Sequence, residues 1–251
     1  MKLNRSLLFA TLLTQPSSAA LFSAEHGDIG IAYEEEVPGE GPEFFLHYHL
    51  GPNAILDGAA VGNGPDGEEF EPGDIITLVS DANRGSMPEM MVLNTGTGVA
   101  AGNPIWTLPS IDLSGVPFLG IATEELSPSE FLGDVTFTMT SVTSPSGSGN
   151  FSVWQQSGVN PPDFFFSTAS ASDNKPLTMG AGAHDHFNYG FSEPGLWEVE
   201  LSVTATHVTD GVLTDTETFR FQVVPEPGTA FLGLLGALGL FRRQRSLAAR
   251  G

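Results

Sequence analysis

Along most of this chain apolar and polar residues alternate with period two, the pattern of strands that bury one face and wet the other. In its clearest form, Trp197, Val199, Leu201, Val203 and Ala205 share one face and Glu198, Glu200, Ser202 and Thr204 the other. Pro194 and Gly195 turn the chain into that strand. Asp210-Gly211 offers a tight turn after it, and Phe219, Phe221 and Val223 alternate with Arg220 and Gln222 in a returning strand. Further strands are predicted at 29–33, 44–50, 75–79, 135–142, 151–155 and 164–168, separated by Gly, Pro, Ser and Asn clusters. Helical periodicity is nearly missing; Ser127-Pro128-Ser129-Glu130 is suited to start a single helical turn. Many short strands with frequent turn signals predict an all-β fold, an antiparallel β-sandwich of immunoglobulin or jelly-roll type. Residues 144–150 read equally as a linker between two sub-domains or as a long hairpin loop.

Both ends depart from this pattern. Lys2 and Arg5 precede an apolar run from Leu7 to Leu13 and a small-residue stretch, Ser17-Ser18-Ala19-Ala20, the layout of a signal peptide over residues 1–20. At the other end Pro225, Glu226 and Pro227 precede an apolar segment at 229–241 and a basic end with Arg242, Arg243 and Arg245. The roughly 14 apolar residues would span about 21 Å as a helix, against about 30 Å of hydrocarbon. Such a segment suits transient anchoring in the inner membrane, with the arginines held on the cytoplasmic side and the body outside.

Between these ends lies a body at 21–224 in which Arg84, Lys175 and Arg220 are the only basic residues, while Glu226 alone of the 30 acids lies outside it. A surface so acidic repels phosphate backbones, which excludes nucleic acid as a partner, and attracts divalent cations or basic partners. Cysteine is absent, so disulfides and thiol chemistry are excluded as well. The chain also lacks a G-x-S-x-G elbow, an H-E-x-x-H helix and a phosphate-cradling loop, and the expected function is non-enzymatic.

Five of the six histidines fall in three short segments: Glu25-His26-Gly27-Asp28, His47-Tyr48-His49 and His184-Asp185-His186. In a strand, residues i and i+2 lie on one face about 7 Å apart, so a His-x-His pair can grip a single ion. Each segment sets its apolar residues opposite its imidazoles: Ile29, Ile31 and Tyr33 oppose His26 and Asp28; Leu46, Tyr48 and Leu50 oppose His47 and His49; Phe187, Tyr189 and Phe191 oppose His184, His186 and Asn188. That arrangement argues against core histidines. It makes His26, His47, His49, His184, His186 and Asp28 candidate ligands for zinc or another divalent transition metal, with Asp185 and Asn188 behind them. Independent surface histidines and a pH-sensing cluster are the competing readings. Five imidazoles exceed one tetrahedral site, so either two ions bind or some histidines support others. His207 reads as a surface residue. The acidic stretch from Asn63 to Glu71 raises calcium as a further thought, although its spacing matches no EF-hand loop.

Two resemblances attach to these residues. The tail resembles the PEP-CTERM sorting signal, which implies processing by an exosortase and display at the cell envelope, the cell surface or in the extracellular matrix. The body resembles the choice-of-anchor M, or actinobacterial surface-anchored protein, domain in residues 25–36 (EHGDIGIAYEEE), 44–50 (FFLHYHL), 103–110 (NPIWTLPS), 120–126 (GIATEEL) and 184–211 (HDHFNYGFSEPGLWEVELSVTATHVTDG). Gly27, Tyr189 and Trp197 depart from that family's usual Val, Trp and Tyr, and none of them is a candidate ligand. PEP-CTERM tails usually accompany exopolysaccharide production. The alternative is therefore a structural or adhesive matrix component that stacks sugars on Trp106 or Trp154, two side chains better suited to core packing.

Overall fold

The computed structural model describes residues 19–35, 42–156, 158 and 160–224. The signal peptide expected at 1–20, all but its last two residues, and the tail expected at 225–251, with the apolar segment at 229–241, lie outside the described residues. Among those described, no helix is long and apolar enough to cross a membrane.

In chain order the strands are β1 (Ala20–Glu34), β2 (Glu43–Leu50), β3 (Ile55–Leu56), β4 (Ala59–Ala60), β5 (Glu68–Phe70), β6 (Ile75–Val79) and β7 (Arg84–Ser86). After the α-helix α1 (Met91–Thr97) come β8 (Pro104–Leu108), β9 (Pro117–Ala122), β10 (Asp134–Thr143), β11 (Phe151–Gln155) and β12 (Asp163–Ser167). The last five are β13 (Leu177–Gly180), β14 (His184–His186), β15 (Asn188–Phe191), β16 (Gly195–His207) and β17 (Gly211–Val223). The large sheet runs β13-β10-β16-β17-β6-β1-β2-β5, with β9 and then β14 laid on the free side of β1, and the small sheet runs β12-β11-β15-β8-β7.

The expected all-β sandwich is present, and the hairpin from Trp197 to Val223 pairs without interruption from Gly195↔Val223 to His207↔Gly211. Its turn needs a left-handed residue, which Gly211 supplies with φ 77°. One hydrophobic core fills the space between the sheets, joining Trp197, Phe219 and Phe221 of the large sheet to Phe151, Phe166, Tyr189 and Phe191 of the small one. Each such aromatic contributes roughly 1.5–3 kcal/mol by leaving water. On the outer face of the small sheet, α1 lays Leu93 over Ile105, Trp154 and Phe164. Trp106 and Trp154 are both buried, so neither is an exposed platform for a sugar ring.

Three features differ from the sequence expectations. The large sheet is mixed, because β1 pairs in parallel with β6 and with β9, and β17 in parallel with β6. Alternation reads which face a residue is on and carries nothing about strand direction. Residues 144–150 are neither a hairpin loop nor a link between separate cores: β10 pairs with β13 and β16, β11 with β12 and β15, and both face the same core. Finally, the one α-helix among the described residues stands at Met91–Thr97, where no helix was expected, while Ser127 closes the single turn expected of it, through Glu130 N and Phe131 N to its carbonyl. Seven residues are too few for helical periodicity to show.

Candidate metal centre

Strand order alone brings the three histidine segments together, since β14, β9, β1 and β2 are successive neighbours. Register then sorts them into rows on one face. One row reads His186–Gly120–Asp28–His49–Glu69, and the next His184–Ala122–Gly30–His47. His26 stands in a third row beside Phe118. Between the histidines each row carries one glycine, Gly120 in the first and Gly30 in the second, and the small size is required. A Cβ on Gly120 would overlap Asp28 Oδ1 and lie 2.9 Å from His184 Nε2, and one on Gly30 would lie 2.7 Å from His47 Nε2.

Two local irregularities aim the side chains. In β1, Phe22 faces the core before position 25 and Ile29 and Ile31 face it afterwards, so the inward parity changes from even to odd. Between them Glu25 has φ 68°, a left-handed conformation costing an L-residue about 1–2 kcal/mol. Without that change His26 and Asp28 would continue on the Phe22 face. In the third segment β14 belongs to the large sheet and β15 to the small one, with buried Phe187 at the crossing. Thr123 fixes the approach to His184: its N–H donates to Ala183 O, its carbonyl accepts from Gly182 N, and its hydroxyl donates to Gly180 O at 2.6 Å and accepts from Ala183 N. The next two residues, Glu124 and Glu125, are thereby held over the histidines.

The five imidazoles fall into two groups. In the first, His26, Asp28, His184 and His186 each place one donor atom within 4.8 Å of the others. Asp28 is only 2 % exposed and sits at the centre, with Oδ1 3.0 Å from His184 Nε2 and Oδ2 3.4 Å from His26 Nε2. The 3.0 Å approach is poorly aligned for a hydrogen bond, so Asp28 Oδ1 and His184 Nε2 meet as an ion pair when His184 is protonated, and neither has another partner. The His186 ring lies flat on Phe118, 3.5 Å between centroids, and its Nδ1 is likewise unpartnered. The contact with Asp28 lifts the His184 pKa above its ordinary value, against burial, with Glu124 adding to the rise. Burial pushes His186 down to about 4, leaving a neutral ring with a lone pair to offer.

The second group is His47, His49 and Glu125, again within 4.8 Å. Glu125 Oε1 lies 3.1 Å from His47 Nε2 and 3.3 Å from His49 Nδ1. His49 Nε2 donates to the Asp66 carbonyl at 2.6 Å. Burial draws the His47 pKa down, but the hydrogen bond and charge of Glu125 outweigh it and the net shift is upward. A cleft of about 270 Å³ is lined by His26 and Asp28 of the first group, His49 of the second, and Asp66 and Glu124.

Of the candidate residues, His26, Asp28, His47, His49, His184 and His186 all reach this face. Asp185 is exposed, on the side away from the cluster, with Oδ1 accepting from His186 N. Asn188 does not reach it. It stands in the small sheet, where Oδ1 accepts from Ser110 N and Nδ2 donates to Trp154 O. His47 is not a surface histidine, being 2 % exposed beneath Glu125. Nor is His207, which is buried against Tyr33 and Phe131 with Nδ1 2.5 Å from Asp210 Oδ2. Glu124 and Glu125 were not singled out in the sequence as ligands, and an adjacent acid pair in an acid-rich chain carries no signal of its own. From 63–71 the Asp66 carbonyl holds His49 and Glu69 stands beside His49 in its row, while Asn63 and Glu68 bond to each other at 2.8 Å.

Among known families, the model of the PEP-CTERM protein-sorting motif matches residues 223–246. No curated protein and no solved structure matches the chain.

Proposed function

We propose that this is an exported envelope protein whose β-sandwich binds a divalent transition metal, zinc being the best fit, through His26, Asp28, His184 and His186. The observation that carries the reading is the unpartnered pair at its centre, Asp28 Oδ1 and His184 Nε2, 3.0 Å apart and buried. A buried polar atom without a partner costs about 1–3 kcal/mol, and such atoms are concentrated here. Of six among the described residues, Asp28 Oδ1, His47 Nδ1, His184 Nε2 and His186 Nδ1 belong to this patch. Three imidazoles and one carboxylate are a donor set suited to zinc, and a cation bound among them would satisfy Asp28 Oδ1 and His184 Nε2.

The sorting motif supports the rest of the reading. Pro225, Glu226 and Pro227, the following apolar segment and Arg242 and Arg243 would hold the chain at the inner membrane until an exosortase processes it. The body at 21–224 is then the part displayed, between a leader at 1–20 and a tail at 225–251. β1 begins at Ala20, the last residue of that leader, and β17 ends at Val223. The family resemblance of the body adds an expectation of surface display and no reaction.

Isothermal titration of the metal-stripped full-length chain with zinc tests the centre. Binding should be on the order of 1 μM or tighter, about −8 kcal/mol. The His184→Ala/His186→Ala variant should lose that event while His207→Ala keeps it. Wild-type affinity in the double variant would sink the proposal.

A further inference from the structure

We infer that His47, His49 and Glu125 form a second, open centre for a divalent transition metal, which keeps a coordination position for an exchangeable small ligand. This deepens the metal-binding reading but stands on different residues, so each can fail alone. The first argument is one of lone pairs. A carbonyl oxygen only accepts, so the 2.6 Å contact with Asp66 O fixes the proton of His49 on Nε2. The other ring nitrogen, Nδ1, faces an oxygen of Glu125 at 3.3 Å. Such a contact holds a cation between the two atoms, either a proton or a metal ion, and the convergence of a third donor favours the metal. The same Glu125 Oε1 is approached by His47 Nε2 from 3.1 Å, which completes a convergent set of two nitrogens and one oxygen.

The surroundings read as a built site. Asp66 O orients His49 from behind, as carbonyls and carboxylates commonly orient metal-bound imidazoles. Gly30 leaves the hollow in which the His47 ring lies, since a Cβ there would stand 2.7 Å from Nε2 and 2.9 Å from Cε1. His47 is 2 % exposed, so its ring is held in place by packing.

What separates the two centres is the number of protein donors. Four groups close the first, whereas three leave the second with a vacant position in the manner of open zinc or iron sites. That position can be reached from solvent, because the His49 and Glu125 side chains keep 30 % and 29 % of their surface exposed. His49 also lines the cleft of about 270 Å³ shared with His26 and Asp28. A water, hydroxide or small anion entering there would fill that position. The carboxylates of Asp28, Asp66 and Glu124 around the same cleft make anion entry depend on the ion being in place.

Cobalt(II) titration of the metal-stripped full-length chain, followed by visible absorption, separates the possibilities. Wild type should take up two equivalents. Glu125→Gln, nearly isosteric and on a part-exposed side chain, and His49→Ala should each take up one. His184→Ala/His186→Ala should retain the other, and azide should shift the spectrum of that retained ion but not of the ion held by Glu125→Gln. Two equivalents of undiminished affinity in Glu125→Gln would overturn the second centre and leave the first standing. One equivalent in wild type, lost in His184→Ala/His186→Ala and kept in Glu125→Gln, would do the same. An azide response confined to Glu125→Gln would reverse the assignment of the open position.

Discussion

Two places in this molecule set histidine against carboxylate, and they are built to opposite rules. At the β16–β17 turn His207 has its ring packed between Tyr33 and Phe131. Its Nδ1 meets Asp210 at 2.5 Å, and Asp210 also accepts from Tyr33 Oη at 2.6 Å and from Thr209. Across the β14–β9–β1–β2 face the histidines also lie within 3.0–3.4 Å of carboxylates, yet four buried polar atoms there have no hydrogen bond. A satisfied cluster explains itself as structure. An unsatisfied one, cleared of side chains at Gly30 and Gly120, has room for the ion proposed above.

The largest effect expected from this contrast is on thermal stability with metal. Zinc at a hundred times its Kd should stabilise wild type by about 2.7 kcal/mol, or roughly 5–10 °C in Tm for a body of this size. His207→Ala should show a lower Tm but the same zinc shift, whereas His184→Ala/His186→Ala should show no shift from the first centre. Differential scanning fluorimetry with and without zinc decides it, and loss of the shift in His207→Ala would erase the distinction between the regions.

Next in size is Gly120→Ala. Its methyl group would overlap the Asp28 carboxylate, so destabilisation of about 1–3 kcal/mol is expected, with weakened zinc binding. Urea unfolding of the metal-free variant measures the first and titration the second. Unchanged affinity would mean that the hollow is not needed for the ion.

Tyr33→Phe probes the satisfied cluster alone and should cost about 0.5–1.5 kcal/mol. It also has a pH signature. Its hydrogen bond to Asp210, then burial and the neighbouring carboxylates, raise the Tyr33 pKa to about 12. Folding therefore favours the protonated phenol; that stabilisation is full below the ordinary tyrosine pKa near 10 and is lost as pH rises through about 12. Asp210 is lowered by the same hydrogen bond, then by His207, so its share is present above the ordinary carboxylate range and lost as pH falls through its depressed folded value. Stability curves for wild type and Tyr33→Phe should converge above pH 12, with zinc affinity at neutral pH equal in both. The smallest effect belongs to Glu25→Gly, which should change stability by less than about 1 kcal/mol, since relief of the left-handed φ is offset by glycine's freedom in the unfolded chain. Glu25→Val should be clearly worse in the same unfolding assay, as a β-branched residue tolerates that conformation least.

Much of the scaffold was legible in the sequence. Alternation located β6 and β11 with their ends, and β2, β10, β12 and β16 to within a residue or two, because the side-chain period of a strand is local and needs no partner. Faces were legible for the same reason: Ile29, Ile31, Tyr48 and Phe187 are buried where their parity put them. The sorting motif was legible because it is read as linear sequence. Local parity could not supply what depends on neighbours. It gave no account of the change at Glu25, of the passage of residues 184–191 from one sheet to the other, or of the pairing that sends Asn188 to Ser110 and Trp154. It named five histidines but neither their division into two groups nor Glu125, since the partner of a ligand is set by strand order and register. Those follow from long-range packing of the two sheets, and only the tertiary structure places Gly120 against Asp28 and Glu125 over His47 and His49.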